Sequence, residues 1–156
     1  MRRFGCARIV LAIIIGAAAF LPAPSRADLP KGAIVLAHTA PTAVLIWDAS
    51  ARVGDLVIAQ TTGPAGLRAL ELDGIDILVN RAPQLHASRV ELRVQYAATG
   101  VVGAAYGAST FANATPLLVM SADRAAIPRS ASHWKQAIAA DRAPRDLTIR
   151  VVGAFP

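Results

Sequence analysis

Cysteine is almost missing from this chain: of 156 residues only Cys6 carries a thiol. No disulfide can form within one chain, and the thiolate clusters that hold zinc or iron–sulfur groups are excluded. Aromatic residues make up only 5%. Beyond residue 27 they are Trp47, Tyr96, Tyr106, Phe111, Trp134 and Phe155, too few for the two aromatic girdles of a membrane barrel. Val94 to Ala122 carries no charge, but its Gln95, Asn113, Pro116, glycines and threonines make it a poor spanning helix. No internal repeat is visible. Without a clustered basic stripe to displace counterions from phosphates, nucleic acid is not an expected partner.

What is present begins with a leader. Arg2, Arg3 and Arg8 precede an uncharged apolar run from Ile9 to Leu21, which ends before Ser25-Arg26-Ala27. A basic start, an apolar stretch and an S-x-A site make a cleavable export signal. The run is 13 residues, short of the roughly 20 that cross a bilayer as a helix. The expected division is therefore a signal peptide over residues 1–27, cut after Ala27, and a single exported domain over residues 28–156. Periplasmic or secreted placement follows, with no stable membrane span in the mature chain.

Removing the leader changes the charge. The full chain has 16 basic and 10 acidic residues. Four basic and no acidic residues precede the cut, which leaves twelve against ten, a net charge of +2. Cys6 leaves with the leader, so the mature domain relies on its hydrophobic core alone.

The mature region reads as short β-prone runs between turns. Ala33–Thr39 and Ala43–Trp47 flank a turn at Ala40-Pro41. Asp48–Ser50 and Gly54-Asp55 read as loops, Leu56–Thr62 as a strand, and Gly63-Pro64-Ala65-Gly66 as a breaker. Leu67–Asn80 reads as a hairpin around Asp73-Gly74, a pair that tolerates a type I′ turn. That register places Glu71 opposite Asp76, like charges that repel. Arg89–Ala98 alternates cleanly, with Val90, Leu92, Val94 and Tyr96 on one face. Thr99-Gly100 can turn into a run from Val101 to Thr110, where Gly103 and Gly107 fit a bulge. Leu117–Ala122 is a further strand. One amphipathic helix is expected over Ser130–Arg142, with Trp134, Ala137 and Ile138 on its apolar stripe. Asp146–Phe155 closes the chain as a strand. The expected fold is mostly β: a single-domain sandwich or partly open barrel of about eight short strands, with the helix before the last strand.

Few motifs carry chemistry. Ser132-His133-Trp134-Lys135 fits S-x-x-K, the serine motif of penicillin-binding proteins and class A β-lactamases. It needs serine and lysine one helical turn apart so that the amine can take the hydroxyl proton. No K-T-G or S-D-N partner accompanies it, so Ser132, His133 and Lys135 are weak catalytic candidates. Glu71, Asp73 and Asp76 would gather at the hairpin tip, where carboxylates can hold a calcium ion, as weak metal candidates. His38, His86 and His133 share no ligand spacing, and a metal site would need the fold to gather them with Asp48 or Asp55. Gly100, Gly103 and Gly107 lack the helix that would aim at a phosphate. Asn113-Ala114-Thr115 is a glycosylation sequon, relevant only in a eukaryotic secretory pathway. No cofactor is implied.

Three function classes follow. The first is a non-enzymatic exported module that binds a protein partner or small ligand, or is structural in the envelope. The second is a small exported hydrolase using a histidine with serine or aspartate. The third is an outer-membrane β-barrel, whose aromatic-ended last strand Leu147-x-Ile149-x-Val151-x-Gly153-x-Phe155 loosely resembles, departing at Gly153 and Pro156.

Overall fold

The computed structural model describes residues 29–96 and 116–156. The leader, the runs at Thr99-Gly100 and Val101–Thr110, the glycines of that region and the sequon lie outside the described residues.

Five strands form one open sheet: β1 (Ile34–His38), β2 (Thr42–Asp48), β3 (Arg89–Gln95), β4 (Leu118–Asp123) and β5 (Thr148–Val151), in spatial order β1-β2-β3-β4-β5. β2 and β3 are parallel; the other neighbours are antiparallel. A parallel pair needs a crossover of a dozen or more residues, normally helical. Here α1 (Ser50–Ile58) and α2 (Gly63–Arg81) supply it. A third helix, α3 (Ser132–Ala139), joins β4 to β5.

The strand readings at Ala33–Thr39, Ala43–Trp47, Arg89–Ala98, Leu117–Ala122 and Asp146–Phe155 each overlap an observed strand. The sandwich, the partly open barrel and the count of about eight strands give way to a single open sheet of five among the described residues. An open sheet lends the barrel class no support. Among the described residues three α-helices replace the expected one, and α2 is the longest element there.

Two of the corrections have clear causes. Leu56–Thr62 is not a strand. Ser50, Val53 and Leu56 make the buried stripe of α1, and Ile58 is exposed. The helix then ends in a left-handed residue, Gln60, with φ 57°. The Gln60 amide donates to the Val57 carbonyl and the Thr61 amide to the Leu56 carbonyl, a Schellman closure. The supposed loop at Asp48–Ser50 starts this helix: Asp48 Oδ1 accepts the Ser50 amide at 3.0 Å.

Leu67–Asn80 is not a hairpin; it runs through the middle of α2. The Gly63-Pro64-Ala65-Gly66 breaker is the first turn of that helix. Proline is favoured there because the N–H it lacks has no intrahelical partner. Gly74 sits in the helix interior because the sheet lies against it. A Cβ on Gly74 would come 2.5 Å from Met120 Sδ and 3.3 Å from Leu92 Cδ2. The Asp-Gly pair marks a close approach of helix to sheet, not a turn.

All three helices contribute to one core cluster. It joins Val53, Leu56, Leu70, Ile77, Leu78, Trp134 and Ile138 to Ala43, Leu45 and Trp47 of β2, to Val90, Leu92 and Val94 of β3, and to Leu118 and Met120 of β4. The alternation of β3 holds from Val90 to Val94, where Glu91 and Arg93 on the other face pair with each other at 2.7 Å, but Gln95 at the strand's end is buried. No helix among the described residues is long and apolar enough to cross a membrane.

Candidate functional site

The three carboxylates of the expected hairpin tip lie on α2, and the helix does not gather all three. Glu71 and Asp73, two apart, point to nearly opposite sides, while Asp73 and Asp76, three apart, share a side. Each acid has its own cation: Glu71 faces Arg68 at 3.7 Å, Asp73 takes the Arg52 guanidinium at 2.6 Å, and Asp76 takes the Lys135 ammonium. Among the described residues no group of three or more His, Cys, Asp or Glu side chains converges to hold a metal ion.

Burial raises the Glu71 carboxyl above its ordinary 4.5; the Arg68 charge opposes this and Asp141 adds to it. A carboxyl whose folded pKa is raised binds its proton more tightly in the fold. Its contribution to stability is therefore present at low pH and is lost as pH rises through the folded pKa. Glu71→Gln should thus be more stable than the native chain at pH 7 in urea unfolding, with the gap closing as pH falls below about 4.5. A less stable variant at pH 7 would mean that the Arg68 attraction outweighs burial.

Ser132 and Lys135 stand one turn apart on α3, as S-x-x-K requires, but each has another partner. The Lys135 ammonium donates to Asp76, and the Ser132 hydroxyl lies 3.0 Å from that of Ser130. The lysine amine is therefore directed to Asp76 and not to the Ser132 hydroxyl, whose proton it would have to take. His133 is exposed on the same helix. His38 and His86 are also exposed; His38 Nδ1 lies 3.0 Å from the Thr42 carbonyl. The three histidines are not brought together, and none bonds a carboxylate or serine among the described residues. Asp55 forms an exposed pair with Lys31, and the hydrogen bond from Lys31 holds its carboxyl below the usual range.

Concave space lies elsewhere. After β4 the chain makes a short 3₁₀ turn, Arg124–Ala126, and runs extended through Ile127. This segment folds against another 3₁₀ turn, Ala82–Gln84, which follows α2. The Arg124 amide donates to the Ser88 carbonyl at 2.9 Å. Its Nε donates to the Ala82 carbonyl at 3.2 Å and its Nη2 to the Pro83 carbonyl at 3.4 Å. The Ala82 carbonyl also accepts the Leu85 amide, so Arg124 is its second donor. Between the two segments lies a cleft of about 230 Å³, lined by Ala82, Pro83, Arg124, Ile127, Pro128 and Arg129. Its walls are apolar and its only charges are two guanidinium groups. Neither arginine belongs to a motif in the sequence. The available signal was the pair Arg124 and Arg129 bracketing Ile127-Pro128 with no acid between them.

Among the described residues the fold defines an α/β class: an open, mixed five-stranded sheet with three helices sharing one core cluster with it. No family model, no curated protein and no solved structure matches the chain.

Proposed function

We propose that this chain is an exported, non-enzymatic module that binds a small ligand or a protein partner, with residues 1–27 as a cleaved leader and residues 28–156 as the working domain. The observation that carries the export half is the leader pattern: three arginines, an apolar run from Ile9 to Leu21, and Ser25-Arg26-Ala27. The binding half is supported by the cleft and by open sheet edges. Among the described residues β1 and β5 are the edge strands without a second neighbour, and Val35, Leu36, Val151 and Val152 are exposed there. The hydrolase alternative has less support, since its candidate lysine is paired and its histidines stand apart on the surface.

The export half is tested by fusing residues 1–27 to a reporter that is active only outside the cytoplasm. The fusion should give activity, and replacing Ile13 and Ile14 with arginine should abolish it by breaking the apolar run. A silent native fusion would overturn the proposal.

A further inference from the structure

We infer that the cleft between Arg124 and Arg129 binds a small oxyanion, a phosphate or carboxylate group carried on a compact molecule. This deepens the binding half of the proposed function and rests on it. It does not depend on export.

The first ground is charge. Six cations of the described chain, Lys31, Arg52, Arg68, Arg89, Arg93 and Lys135, have carboxylate partners. Arg81, Arg124, Arg129, Arg142, Arg145 and Arg150 have none among the described residues; of these, Arg124 and Arg129 share a cleft, and no acid lines it. Asp123, next to Arg124 in sequence, is turned toward Arg89. Two like charges beside apolar walls, with no counter-charge, raise the local positive potential and favour an anion.

The second ground is preorganisation. Arg124 is held in place by the Ala82 and Pro83 carbonyls through Nε and Nη2. A guanidinium has five N–H donors, so both Nη1 hydrogens and one on Nη2 stay available. A planar fork already fixed in orientation loses little entropy when it takes an oxyanion. Arg129 is exposed and can close on the ligand from the other side.

The third ground is size. About 230 Å³ admits a phosphate or carboxylate with a few further heavy atoms. Proline rings and Ile127 offer apolar contact to the rest of such a ligand. The terminus of α2 adds partial negative charge nearby, which limits affinity. Binding is therefore expected near a dissociation constant of about 1 mM for a bare ion.

The test is an amide-shift titration of the full chain with inorganic phosphate and, separately, with benzoate, against chloride at matched ionic strength. Saturable shifts at the amides of Ala82, Arg124, Ile127 and Arg129, with phosphate, benzoate or both, are the expected result. The anion that saturates at lower concentration identifies the group. Arg129→Ala, which removes an exposed side chain and no hydrogen bond of the fold, should weaken binding about tenfold. Arg124→Lys keeps the charge but loses the fork, and should weaken it comparably. Linear shifts, shifts equal to those with chloride, or saturation unchanged in Arg129→Ala would overturn the inference. That failure would leave the leader fusion result untouched.

Discussion

Trp134→Ala should destabilise the domain by about 3–5 kcal/mol, the usual cost of deleting a fully buried tryptophan. Trp134 is 2% exposed and belongs to the core that joins α3 to the sheet. Its helix is held from both sides of that contact. Lys135 pairs with Asp76, while Arg68 of α2 donates to the Ile138 carbonyl and to Asp141 at the end of α3. Those polar ties cannot replace the lost apolar volume, because they lie at half-exposed positions where ion pairs contribute little. Urea unfolding of the native chain and the variant measures the difference. An unchanged midpoint with lost ligand or partner binding would instead make Trp134 a contact residue.

Gly74→Leu should be as damaging for the opposite reason. Even a Cβ at this position meets Met120 Sδ at 2.5 Å. Met120 and Leu92 are fully buried. A leucine there must lift α2 from β3 and β4, and overpacking of this kind costs about 3 kcal/mol or more. Gly54 provides the control. It lies inside α1 with nothing within 4 Å of its Cβ position. Gly54→Ala should therefore stabilise the chain by about 0.5–1 kcal/mol through helix propensity alone. If both substitutions shifted stability in the same direction, the close approach at Gly74 would not be what places a glycine there.

The same glycine explains where sequence reasoning succeeded and where it stopped. Strict alternation over Val90, Leu92 and Val94 identified β3, and all three side chains are fully buried. The apolar stripe of Trp134 and Ile138 identified α3, although the helix ends at Ala139 and Asp141 turns left-handed at φ 56°. α2 was hidden because Gly66 and Gly74 occupy its buried stripe, so its apolar periodicity is interrupted where packing is tightest. Asp73-Gly74 then imitated a hairpin turn. The repulsion that the hairpin implied between Glu71 and Asp76 was the visible warning. On the helix each acid meets its own cation instead. α1 was missed because Val57 and Ile58 look like strand residues but are the exposed end of a helix.

The cleft was illegible for a different reason. Its two arginines come from one short segment, but its other wall comes from the end of α2, about forty residues earlier, as the Arg124 bond to Pro83 shows. Only a fold that brings β4 back past α2 makes them neighbours. The charge count could show that twelve basic residues face ten acidic ones. It could not show which cations would be left without a partner.

The proposal of an exported module is tested most directly by the intact mass of the protein recovered from cells expressing the full-length chain. Cleavage after Ala27 predicts a chain that begins at Asp28, found outside the cytoplasm and lacking the only cysteine. A cytoplasmic chain that retains Cys6 and the arginines of the leader would contradict it.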